Sequence, residues 1–185
     1  MTIERTTNAA TEPVTNTEVT DALVQSVGWD NARVTLLISA AREAMENITD
    51  RSFVTQTWTM HLDAFPEVIY VPKGKLIAIS SLKYDDISGT EQTLNVTTDY
   101  TLDNNSKIAR ISPVTSWPST LTTQKGVVRL VYTAGYGAAS AVPSAIKEAV
   151  ISKVEQLYSK DDRGNSMIDS LISPYKIFFN YSING

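Results

Sequence analysis

Two hydrophobic periods take turns along this chain. Between Asp30 and Asp50, apolar residues recur every three or four positions, at Val34, Leu37, Ile38, Ala41, Met45 and Ile48. That spacing gathers side chains on one face of an α-helix, and Asp30 can cap its free amides. A shorter stripe of Val19, Ala22, Leu23 and Val27 precedes it. Thr15 and Glu18 form a capping box at its start, and Gly28 suits the left-handed position past its end. From Phe53 the period drops to two: Val54, Trp58, Met60 and Leu62 alternate with Thr55, Thr57, Thr59 and His61, as in a half-buried strand. Further strands are expected at 68–71, 76–84, 92–96, 100–103, 107–111 and 127–132, parted by the turn formers Pro72-Lys73-Gly74, Asp85 to Gly89 and Asn104-Asn105-Ser106.

The helical period returns after Val142-Pro143, where proline presets φ at a helix start. Ile146, Ala149, Val150, Val154 and Leu157 form the apolar face. The polar run from Asp161 to Ser166 reads as an exposed loop. From Ile168 to Gly185, Pro174 interrupts any helix and Ile177, Phe179, Tyr181 and Ile183 alternate with Phe178, Asn180 and Ser182, so the stretch reads as an apolar strand. Residues 1–13 hold almost no bulky apolar side chain and read as a flexible arm. The fold class expected is α+β: a small helical bundle of two N-terminal helices and one near 143–160, with an antiparallel β-rich insertion at about 53–134.

Composition changes this picture little. At 185 residues, 42% of them apolar, the chain can bury roughly 70% of its unfolded surface as one domain. No apolar run is long enough for a membrane span, and the polar, Thr-rich start lacks the features of a secretory signal. Without cysteine there is no disulfide, thiol nucleophile or thiolate metal site. Sixteen basic residues against 20 acidic ones give a net charge of −4, which argues against a protein that grips DNA through released counterions.

Candidate chemistry is sparse. His61 is the single histidine and has no neighbour suited to ligation or proton transfer. Asp85, Asp86, Glu91, Asp99 and Asp103 match no calcium-loop spacing and read as turn acids. Gly135-Tyr136-Gly137 lacks the lysine of a phosphate loop and reads as a hinge. No catalytic residue, cofactor site or metal site is expected. Trp58, Trp117 and Tyr136 offer aromatic surface, which supports the alternative of a β-sandwich carbohydrate-binding module with helical flanks. Arg33, Arg42, Glu43 and Glu46, off the apolar stripe of the second helix, read as a solvated or subunit-facing edge.

Several segments in order carry a family resemblance. They are Ala40-Ala41-Arg42-Glu43-Ala44-Met45-Glu46, Asp50-Arg51-Ser52-Phe53, Gln56-Thr57-Trp58, Leu62-Asp63-Ala64-Phe65-Pro66, Leu82 to Asp86 with Gly89, and Val131 to Gly137 followed by Val142-Pro143. The pattern spans roughly residues 13–160 and resembles the head-tail connector (adaptor, head completion) proteins of tailed bacteriophages, in the form with a β-rich insertion. Asp50 departs from it, since glycine is usual there. The resemblance implies a non-enzymatic structural subunit of the virion, made in the host cytoplasm. It implies a dodecameric homo-oligomeric ring under the portal protein, joined to a stopper or tail-completion protein, with DNA passing through without sequence-specific binding. On that reading 14–160 is the connector domain and 161–185 a loop and docking arm, with Ile177, Phe178, Phe179, Tyr181 and Ile183 facing the partner; the same apolar stretch reads equally well as the last strand of the protein's own sheet.

Overall fold

The computed structural model describes residues 1–23, 30–160 and 164–179, and the fold is α+β. Its contacts divide the chain into two units. A β-rich unit comprises Met1–Asn8 and Thr55–Gly135, with Phe178 and Phe179. A helical unit comprises Ala9–Val54 and Tyr136–Ile177. Each unit has its own apolar core, which differs from the one domain that length and composition suggest.

The β-rich unit holds β1 (Thr2–Thr7), β2 (Gln56–Leu62), β3 (Ile69–Val71), β4 (Leu76–Asp85), β5 (Glu91–Leu94), β6 (Tyr100–Asp103), β7 (Ala109–Pro113) and β8 (Val128–Ala134). Five strands form an antiparallel sheet in the order β1-β2-β8-β4-β5, and three form a second in the order β3-β7-β6. Lys73 and Gly74, both at positive φ, turn the chain from one sheet to the other. Along β8 the alternation is complete: Val128, Leu130, Tyr132 and Ala134 are buried, which suits the central strand of a sheet with one covered face. β1 corrects the expectation of a structureless arm. It pairs with β2, with Ile3 opposite Met60, so its order comes from the ladder and not from its own thin apolar content.

In the helical unit, α1 (Asn16–Ala22) opens with the capping box at Thr15 and Glu18; Val27 and Gly28, expected to complete it, lie outside the described residues. α2 (Asn31–Thr49) is capped by the Asp30 carboxylate, which accepts from the Ala32 amide at 3.0 Å. It ends at Asp50 in the left-handed region, φ 52°. Glycine suits that position best, and aspartate is among the few other residues that occupy it readily, which accounts for the exchange noted in the sequence. Val34, Ile38, Ala41 and Met45 are buried as the stripe predicts, whereas Leu37 is half-buried and Ile48 exposed. α3 (Ser144–Ser159) follows Pro143, which sits one residue before the helix and accepts from the Ile146 and Lys147 amides. Ile146, Ala149, Val150 and Val154 complete the core against α2.

The stretch read as a C-terminal strand is different. Asn165–Ile172 form a further helix, α4, which packs Ile168 and Ile172 into the helical core. A 3₁₀ turn at Ser173–Tyr175 follows, and 176–179 have no regular structure. Pro174 stops the helix, as expected, but only after two turns have formed. Tyr181 and Ile183 lie outside the described residues, as do Asp161 to Arg163.

Candidate functional site

The four charged residues of α2 fall into two groups. Arg42 and Glu46 turn inward. Arg42 donates through Nε to Glu12 Oε2 at 2.7 Å and through Nη1 to Glu46 Oε2 at 2.9 Å, with its side chain only 4% exposed. Burial alone would lower the guanidinium pKa, but its hydrogen bond to Glu12 and the charges of Glu46 and Glu12 outweigh that and raise it. The other oxygen of Glu46 accepts from the Phe53 amide at 2.7 Å. One carboxylate thus satisfies both a buried cation and the backbone that follows α2. Arg33 and Glu43 remain outward, Arg33 over the Tyr158 ring at 5.1 Å and Glu43 at 3.7 Å from Arg42.

Those two outward residues belong to a line that the sequence reading passed over. Arg33, Leu36, Ala40, Glu43 and Asn47 are spaced by three and four, so they share a helix face. Leu36 is 70% exposed in the middle of it. A second apolar position between two charges, off the main stripe, was the available signal.

At the C-terminus, the Ile177 amide donates to Thr49 O at 2.9 Å and Arg51 Nε donates to Tyr175 O. Both bonds seat the segment on the end of α2. Ile177 and Phe179 are buried, whereas Phe178 between them is 92% exposed. The candidate docking residues therefore divide by side-chain environment as well as by position.

The acids of the β-rich unit are engaged one by one. Arg129 holds Asp85 through two bonds, at 2.6 and 2.9 Å, and Glu91 at 2.8 Å; Lys83 adds a 2.7 Å bond to Glu91. Asp86 closes the β4–β5 turn by accepting from Ser88 Oγ, the Ser88 and Thr90 amides and Gln92 Nε2. The Ser88 and Gln92 side chains and the Thr90 amide hold its pKa down at about 2. Asp99 accepts from the Asn95 amide, and Asp103 pairs with Arg110. Among the described residues no group of three or more such side chains could hold a metal ion.

His61 faces Glu4 of β1 at 3.4 Å. Lys73 lies over the Trp58 ring at 5.2 Å, and Trp117 stacks on Phe65 at 4.6 Å. Tyr136 packs against the helical core. Gly135 and Gly137 flank it at φ 135° and 108°. Among the described residues, no helix is long and apolar enough to cross a membrane.

No protein-family model and no curated protein matches this chain. Solved structures do. A chain in the virion of a native gene transfer agent (GTA) particle has a TM-score of 0.81 at 20% identity, over 97% of both chains. A chain in the neck of an empty GTA particle, computed with C6 symmetry, has a TM-score of 0.79 at 20% identity, and one in the neck of a native GTA particle, computed with C12 symmetry, has 0.77 at 21%, both over 100% of each chain. At this identity the likeness shows the fold, which these chains share from end to end.

Proposed function

We propose that this protein is a structural subunit of the neck of a phage-like particle, where copies form a ring that joins the head to the tail. The observation that carries this reading is the full-length likeness in fold to chains of GTA necks. Within it, the finer assignments follow the phage connector resemblance. The ring is dodecameric, lies under the portal protein, meets a stopper or tail-completion protein and extends the DNA channel without catalysis. A net charge of −4 suits a channel wall that does not hold DNA. The chain assembles in the host cytoplasm and ends in the virion.

Two surfaces fit these contacts. The α2 line centred on Leu36 presents an apolar side chain between Arg33 and Glu43, a pattern suited to a second copy in a head-to-tail ring. The C-terminal segment meets the portal, with Phe178 as the aromatic anchor and its buried neighbours holding it in place.

Cryo-electron microscopy of portal-bearing capsids incubated with the purified protein tests the reading. The expected result is a twelve-fold ring below the portal, with Leu36 at the subunit contact and Phe178 against the portal. Leu36→Glu is expected to leave stability within about 0.5 kcal/mol, as for other exposed positions, while preventing the ring. Capsids that acquire no density below the portal would defeat the proposal.

A further inference from the structure

A recess of about 330 Å³ opens in the β-rich unit beside Trp117, near the lower end of the roughly 300–1,000 Å³ range of small-molecule sites. The indole is held rigidly. One side stacks on Phe65 with an interplanar angle of 7°, Phe65 is in turn met edge-on by Tyr84, and Nε1 donates to Glu67 O at 3.3 Å. Around it, the lining includes Tyr84, Thr98, Asp99, Thr115 and Ser116. The hydroxyls of Tyr84, Thr98, Thr115 and Ser116 make no hydrogen bond to any described residue, and Asp99 uses only Oδ2, on the Asn95 amide. Four hydroxyl-bearing residues and one carboxylate, with hydrogen-bonding capacity that no described residue uses, therefore line the recess beside an aromatic ring fixed by its neighbours.

The loop that brings Thr98 and Asp99 here is strained. Thr97 lies at φ 73°, a conformation that β-branched residues avoid because Cβ crowds the backbone. Such outliers concentrate where a particular arrangement of neighbours is needed.

We propose that this recess binds an uncharged saccharide, a function additional to assembly in the neck. The apolar face of a pyranose ring suits the rigid indole, and its hydroxyls can both donate and accept, matching the open hydroxyls and Asp99. Among the described residues no lysine or arginine lines the recess, so phosphorylated, sialylated and uronic sugars lack a counter-charge and would meet Asp99. A proline-rich peptide offers carbonyl acceptors but, at its prolines, no N–H donor for the free oxygen of Asp99. A quaternary ammonium would need several aromatic faces around it, and here Trp117 already gives one face to Phe65.

The test uses the full-length protein and saturation-transfer NMR with cellotriose, maltotriose, mannotriose and chitotriose, with choline and decaproline as comparisons. At least one trisaccharide is expected to bind with a Kd below about 10 mM. Trp117→Ala should abolish that binding. Because the ring also packs on Phe65, Thr115→Val combined with Ser116→Ala is the decisive variant. Neither hydroxyl has a partner among the described residues, so the melting temperature should stay unchanged while affinity falls about fivefold or more. The proposal is overturned if no trisaccharide binds, if binding survives both changes, or if only choline or decaproline binds.

Discussion

Each unit of this protein holds an arginine between two carboxylates, and the two arrangements differ in almost everything but that. Arg42 is buried between Glu12 and Glu46 in the helical unit, while Arg129 lies 25% exposed between Asp85 and Glu91 on the β sheet. Water can replace much of what Arg129 gains from its partners, so that pair fixes the register of β4, β5 and β8 more than it adds stability. Water does not reach Arg42 in the same way. Glu46 is nearly as buried, at 8%, although Glu12 is 28% exposed, so losing Arg42 leaves the Glu46 charge uncompensated inside.

The largest effect expected is therefore from Arg42→Ala, at about 3–5 kcal/mol by urea unfolding; a loss below 1 kcal/mol would show that solvent reaches the cluster. Next comes Ile38→Ala, at about 2–5 kcal/mol for a fully buried aliphatic side chain, against about 1 kcal/mol for half-buried Leu37→Ala. Equal losses would mean that the apolar stripe of α2 is covered more widely than its exposure indicates. Arg129→Ala should cost no more than about 1 kcal/mol, and less in high salt.

Acid provides the gentlest test. Asp86 is held at about pKa 2, and Asp63, Asp85, Glu91 and Asp103 are also lowered, all in the β-rich unit. In the helical unit the Glu18 carboxyl is lowered as well, first by the hydrogen bond from the Thr15 amide. A carboxyl whose pKa falls on folding contributes its full stabilisation above the unfolded value, near 3.8 for Asp86, and loses it as pH drops through the folded value. Amide exchange followed from pH 4 to pH 2 should thus show the β4–β5 turn opening first, and Asp86→Asn should flatten that response.

How much of this was legible in the sequence depended on how local each cause is. The seven strands from β2 to β8 were readable because their turns are written beside them, as at Lys73-Gly74 and Asp86 to Gly89. The helix stripe was readable at Val34, Ile38, Ala41 and Met45. β1 was not, because its order comes from β2, more than fifty residues away. α4 was hidden by its shortness and by Pro174 close behind. Arg42 and Glu46 sat on what a helical wheel makes the polar side, and nothing near them announces Glu12, thirty residues upstream. The alternation of Ile177 and Phe179 with Phe178 was readable, and the exposed Phe178 ring does lie between two buried neighbours, but the segment is irregular and not the strand that the alternation suggests.

The position of β8 has a consequence for how the molecule is made. It is the last of the described strands and the middle strand of its sheet, flanked by β2 and β4. During synthesis, β2 and β4 therefore emerge with no partner between them and wait until Ala134 has left the ribosome. α2 waits longer still for α3. Sheets closed by distant segments fold slowly and expose pairing edges meanwhile, so this chain is at its most vulnerable to misassociation just before its final third appears.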